Sequence, residues 1–107
     1  MISKTPKPPY YAVIFTSIRT EGENGYGATA QRMVELALAM PGCLGAESAR
    51  EEVGITVSYW KDLESIKNWK YQMEHVEARN KGREIWYSQY KLRIALVERD
   101  YGFEKTD

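Results

Sequence analysis

A chain of 107 residues with 15 Lys and Arg against 15 Asp and Glu carries no net formal charge, and since phosphate backbones are held by an excess of cations, nucleic acid is a poor default as its partner. Hydrophobic residues at 43% and charged residues at 28% describe one globular domain with a single modest core, neither disordered nor fibrous. No run of about 18 apolar residues is present to cross a bilayer, no apolar stretch of signal-peptide length precedes Tyr10, and the single cysteine, Cys43, cannot form an internal disulfide, which fits a reducing cytoplasm.

In chain order, residues 1–9 hold three prolines and read as an extended, loosely held arm. Tyr10 to Ile18 is β-branched and aromatic, apolar at both alternating sets of positions, and reads as a central strand buried on both sides. Arg19 to Gly25 is a loop. Tyr26 to Met40 places Tyr26, Ala30, Met33, Val34, Ala37 and Leu38 at helical spacing, and Pro41-Gly42 ends that helix. Cys43 to Glu51 reads as a weaker strand near an edge, and Glu52-Val53-Gly54 turns the chain into a strong strand, Ile55 to Lys61.

Asp62 is placed to cap a second helix, whose apolar stripe of Leu63, Ile66, Trp69, Met73 and Val76 carries it to about Lys81. Gly82 is a stop or kink, Arg83 to Tyr87 a further helical turn, and Tyr90 to Asp100 a long final strand. The order β-α-β-β-α-β defines an α+β, ferredoxin-like architecture: a four-stranded antiparallel sheet with both helices on one face. One domain spans residues 10–101, between the arm and a tail at 102–107. The sheet face without helices needs a cover, and a second copy of the chain supplies one, which predicts a homodimer packed sheet to sheet.

The Pro41-Gly42-x-Leu44-Gly45 strand entry, the Ser58-Tyr59-Trp60-Lys61-Asp62 junction and a helical Trp69 followed by His75 resemble the antibiotic biosynthesis monooxygenase domains. The resemblance implies a dimeric α+β barrel. Cofactor-free quinone-forming monooxygenases, haem-degrading enzymes and proteins with no known reaction share that fold. The haem-degrading branch uses a first-strand asparagine, a helical tryptophan and a later histidine. Trp69 meets the second position, whereas the first strand offers only Thr16 and Ser17, and the ligand position falls near Arg79 rather than on His75.

His75 is the only side chain whose ordinary pKa lies near neutrality, and hence the natural acid, base or ligand. On a continuous helix it would stand about 120° round from Trp69, on a mixed polar face with Tyr71 and Arg79. A helix-surface or subunit-contact role is its alternative, and core packing is the alternative for Trp69. Tyr59 and Trp60 point to opposite faces of their strand, so one meets the helices and the other the dimer interface. Trp86, Tyr87 and Tyr90 either pack the partner subunit or close the mouth of a pocket. Arg93 and Arg99, on one face of the last strand, call for acidic partners such as Glu47 or Glu51 if that face is buried. Cys43 reads as an inert buried thiol.

No Cys/His cluster, phosphate-binding glycine loop or nucleophile elbow is present. The function that the resemblance implies is cofactor-independent oxidation of a small phenol- or quinol-type aromatic by O2, without metal or other cofactor. His75 and Trp69 would be the catalytic residues, and Tyr59, Trp60 and Met73 would line the pocket. The alternatives are a haem-binding or haem-degrading protein and a non-catalytic dimeric module for a small apolar ligand.

Overall fold

The computed structural model describes residues 2–106. Its sheet is built from β1 (Tyr10–Arg19), β2 (Cys43–Arg50), β3 (Gly54–Trp60) and β4 (Tyr87–Val97), in the order β2-β3-β1-β4 with every neighbouring pair antiparallel. Between them lie α1 (Tyr26–Ala39), α2 (Leu63–Lys70), α3 (Met73–Lys81) and a π-helical turn, Gly82–Trp86. The ferredoxin-like arrangement expected from the sequence is the one observed. The expected second helix, however, is two helices, and the last strand begins at Tyr87 rather than Tyr90.

β1 is central, paired with β3 from Tyr11 to Ser17 and with β4 from Tyr10 to Arg19, which is why it is apolar at successive positions. Register assigns the two faces. Tyr11, Val13, Phe15 and Ser17 share one face with Trp60, Ser58, Thr56 and Gly54 of β3, and with Leu96, Ile94, Leu92 and Tyr90 of β4. This is the helix face, since Val13 and Trp60 form the core with Ala37 of α1 and Ile66 of α2. Trp60 is fully buried and its indole N–H donates to Ser58 Oγ at 2.9 Å. On α1 the inward stripe falls on Ala37, while Val34 and Leu38 of the expected apolar face are exposed.

The other face carries Tyr10, Ala12, Ile14, Thr16 and Ile18 beside Tyr59, Val57 and Ile55. The N-terminal arm crosses one end of it. Ser3 N donates to Glu47 Oε2 at 2.7 Å and Ser3 Oγ to the Ala46 carbonyl at 3.2 Å, and Thr5 Oγ1 donates to Tyr10 Oη at 2.9 Å. The segment expected to be loose is therefore tied to β1 and β2. Glu47 also accepts from Tyr59 Oη at 2.7 Å, so it serves the arm and a tyrosine rather than Arg93 or Arg99.

Trp86 and Tyr87 pack against side chains of their own chain. Trp86 is buried, donates from its indole to the Asn24 carbonyl at 2.9 Å and meets the edge of Tyr26. Tyr87 touches Phe15, Tyr26 and Tyr90.

Two glycines are required by their surroundings. Gly54 lies directly under the Arg50 side chain, which crosses it to reach Ser17 Oγ on β1. Gly42, after α1, has a φ of +87° and faces the Ser65 side chain of α2, while its carbonyl accepts Lys61 N at 2.8 Å. A methyl group there meets both an unfavourable backbone region and a collision. Gly42→Ala is expected to destabilise the fold by about 2 kcal/mol or more, read as a lower urea midpoint with an unchanged slope.

Candidate functional site

Asp62 caps α2 as expected, its carboxylate accepting Ser65 N at 2.8 Å. α2 carries Trp69 onto the core tryptophan: the rings of Trp60 and Trp69 stack at 6.3 Å between centroids and 25° between planes. The chain then leaves the helical path. Gln72 N bonds to the Trp69 carbonyl at 3.2 Å, closing the last turn of α2, and Gln72 takes an extended backbone conformation (φ −63°, ψ 132°). Its side-chain oxygen accepts His75 N at 2.8 Å, starting α3 with the three-residue reach of a cap.

This break overturns the angular separation expected of a continuous helix. His75 lies flat on Trp69, with centroids 4.0 Å apart and planes 10° from parallel, and its Nδ1 is 2.8 Å from the Trp69 carbonyl. A carbonyl only accepts, so Nδ1 carries the proton and Nε2 of the neutral ring is left as the acceptor. Burial holds the His75 pKa below its ordinary 6.5 by disfavouring the cation. The Trp69 carbonyl works against that effect and the charge of Arg79 works with it. At neutral pH the site therefore offers an imidazole base with a fixed tautomer, backed by two stacked indoles.

Beside this stack the helix face of the sheet is open. Leu92, Ile94 and Leu96 of β4 point to the helix side, as their pairing with Phe15, Val13 and Tyr11 shows, yet they are 49%, 51% and 49% exposed. Leu96, Tyr11 and Trp60 stand in one row across three strands. The apolar floor thus begins two strand spacings, about 10 Å, from the tryptophan under Trp69. The helix side of the sheet therefore carries an open aliphatic row on β4, a shallow trough that suits a flat apolar molecule, and, over Trp60 of β3, an aromatic stack with one titratable ring.

Of the residues singled out from the sequence, Trp60, Trp69 and His75 come together in one stack. Tyr59 does not join them. It is on the opposite sheet face, edge-on to Tyr10, and burial together with the Glu47 carboxylate pushes its hydroxyl up to about 12. The Met73 side chain lies outside the described residues. Cys43 is half-buried, and burial raises its thiol pKa. Among the described residues no three His, Cys, Asp or Glu side chains gather where they could hold a metal ion, and no helix is long and apolar enough to cross a membrane. A broad groove of about 590 Å³ runs between α1 and α3, lined by Arg32, Glu74 and Trp86 among others, and contains neither Trp69 nor His75. Its lining is mixed and polar, with Arg32 and Glu74 paired at 3.2 Å, and the aromatic stack is the better candidate. Sequence reasoning missed the uncovered β4 leucines and Gln72; glutamine is not among the favoured helix caps and no Pro or Gly marks the break.

A ferredoxin-like α+β domain with an open aliphatic row on β4 and a Trp–His stack on the same side of the sheet is the class that fold and site define. The model of the antibiotic biosynthesis monooxygenase family matches residues 9–81, and the chain belongs to that family. It is 52% identical over 107 residues to the uncharacterized protein YqjZ of Bacillus subtilis, covering 98% of this chain and 94% of YqjZ. Among solved structures, protein SO0527 of Shewanella oneidensis superimposes with a TM-score of 0.76 at 9% identity, covering 92% of this chain and all of that one. A point mutant of SnoaB from Streptomyces nogalater, a cofactor-independent oxygenase, superimposes with a TM-score of 0.68 at 10% identity, covering 90% of this chain and 98% of SnoaB. At those identities the likeness is one of fold.

The depressed His75 pKa has a signed consequence. The folded state binds this proton less readily than the unfolded chain, so the stability it contributes is complete above about 6.5 and is lost as pH falls through the lower folded value. An NMR titration of the single imidazole should give a midpoint below 6.5. Urea unfolding between pH 7.5 and 5 should show a loss of stability that is smaller in His75→Phe than in the wild type. A midpoint at or above 6.5 overturns the buried placement of the ring.

Proposed function

We propose that the protein is a cofactor-independent monooxygenase that oxidises a small phenol- or quinol-type aromatic with O2. The observation that carries this reading is the Trp69–His75 stack, in which a neutral imidazole is fixed by Nδ1 and left with Nε2 as a base against an aromatic surface. Family membership and the likeness in fold to a cofactor-independent oxygenase support it.

In this mechanism the substrate lies on the trough of Leu92, Ile94 and Leu96 with its reacting edge at His75. Nε2 takes a proton from the ring methylene of the keto tautomer, and the electron pair left behind delocalises onto the oxygen as a phenolate. One electron passes to O2, and the resulting radical pair combines to form a C–O bond. His75 returns its proton to the peroxide, and cleavage of the O–O and remaining C–H bonds releases water. The balance is a CH2 group plus O2 giving C=O plus H2O, with all four electrons supplied by the substrate. The chain's part is stacking, removal of water from the reacting edge and proton transfer at one atom.

A second reading rests on a different property of the same ring. A neutral imidazole held through Nδ1–H by a carbonyl is the form that ligates haem iron through Nε2. The β1 strand, however, has no asparagine, and Arg79 stands at the position the haem-degrading resemblance gives to the ligand.

For assembly, we infer a homodimer through the open sheet face. Ile18 and Ile55 are 36% and 46% exposed there, with the Ile14–Val57 pair next along the face, and burial against a second copy removes this surface from water.

Oxygen uptake with a panel of phenols and quinols is the direct test. His75→Ala is expected to lower turnover by about 10²-fold or more without loss of fold, and unchanged turnover removes the base role. A hemin titration run in parallel decides the second reading: a saturable Soret shift at one haem per chain, lost in His75→Ala, favours it, and no shift removes it. Ile55→Lys is expected to convert a dimer to monomer in sedimentation equilibrium; a wild-type monomer overturns the assembly.

A further inference from the structure

A second groove, of about 450 Å³, opens on the sheet face without helices. It is lined chiefly by Thr16 and Ile18 of β1, by Gln89, Lys91 and Arg93 of β4, and by Val53 in the turn between β2 and β3. Strand register sets Thr16 opposite Lys91 and Ile18 opposite Gln89, which places these side chains on the open face. Among the described residues, the lining holds two cations and no carboxylate. The one ion pair among those residues joins Arg32 and Glu74, so Lys91 and Arg93 have no acidic partner there. The C-terminal tail, at the other end of the sheet, has the complementary features. Asp100 fastens it to the open face by accepting from Tyr10 Oη at 2.6 Å. Tyr101 and Phe103 then stand 85% and 90% exposed, followed by an exposed Glu104. Two large aromatic side chains left so close together in water mark a contact surface.

We propose that in the homodimer the tail of each chain, through Tyr101, Phe103 and Glu104, fills this groove on its partner. The inference rests on the open-face assembly proposed above and goes beyond it. The tail cannot serve its own groove. Along β1, Thr16 lies about 20 Å and Ile18 about 26 Å from Tyr10. Phe103, three residues past the anchored Asp100, reaches at most about 11 Å of backbone. Sheets packed face to face, however, stand about 10 Å apart, so the same three residues span the gap to a facing sheet. A twofold axis lying across the strands sets the Tyr10 end of one sheet over the Ile18 end of the other. Each tail then arrives at the partner's groove, and both grooves are filled at once. The aromatic side chains cover Ile18 and Val53, which is 47% exposed. Glu104 meets Lys91 and Arg93, and charges so exposed fix the register more than they add affinity.

Disulfide trapping reads the exchange directly, because the chain has a single cysteine to remove. Val53→Cys and Phe103→Cys are combined with Cys43→Ser, and the dilute protein is oxidised and run on a non-reducing gel. A covalent dimer is expected, with peptide mapping showing the two introduced thiols joined to each other. A bond between them that leaves the chain a monomer on the gel overturns the proposal, and so does the absence of that bond. Sedimentation equilibrium supplies the second arm. Ending the chain after Asp100 is expected to weaken dimerisation at least about tenfold, the loss that uncovering one aromatic side chain brings. Lys91→Glu is expected to weaken it as well, and Glu104→Lys in the same chain to restore part of the loss. A wild-type dimer unmoved by the truncation overturns the tail exchange and leaves the sheet-to-sheet dimer standing. A wild-type monomer overturns both.

Discussion

The backbone carbonyl of Trp69 accepts from two donors at once, Gln72 N and His75 Nδ1. In an unbroken α-helix it would instead take the N–H of residue 73, and a side chain six residues on would face elsewhere. Closing α2 on Gln72 leaves the first N–H groups of α3 without helical partners, and the Gln72 side chain satisfies that of His75. Backbone and side chain of His75 are thus each held by one bond, and the ring has nowhere to lie but on Trp69. The position of the titratable group, its tautomer and its burial all descend from this interruption.

The sheet supplies the other half of the arrangement. A central strand apolar on both sides obliges each face to be covered, and the helices meet that obligation unevenly. Trp60, Val13, Ala37 and Ile66 form a tight core over β3 and β1, while the helix side of β4 is left half-exposed. That unevenness leaves an open aliphatic row on the same side of the sheet as the aromatic stack. Across the sheet, the arm is bound to Glu47 and Tyr10, which leaves the remainder of the open face, around Ile14, Ile55 and Val57, as the area available to a second copy.

Much of the fold was legible because period and punctuation agree along most of the chain. The two-sided apolar run of β1, the Pro41-Gly42 stop and the Asp62 cap each stand where the structure uses them. The site was legible in its parts and not in its geometry. Leu63, Ile66, Trp69, Met73 and Val76 keep helical spacing across the break, so the pattern carries straight through a point where the backbone turns. Gln72 performs a capping role by tertiary circumstance, with nothing local to announce it. The separation of Tyr59 from Trp60 follows from strand alternation, but only the core contacts decide which of the two meets the helices. The exposure of Leu92, Ile94 and Leu96 depends on how much of the sheet the helices cover, which no pattern within β4 encodes.

The pairing of β1 with β4 also governs how the molecule comes into being. β1 leaves the ribosome well before its partner, which ends at Val97. Until β4 has been made, the most hydrophobic strand of the protein has one free edge and an unfinished cover. A topology closed by its first and last strands folds late and more slowly than one closed locally, and it exposes an aggregation-prone edge during synthesis. For a nascent chain, the vulnerable interval is therefore set by the time needed to translate everything from Arg19 to Val97.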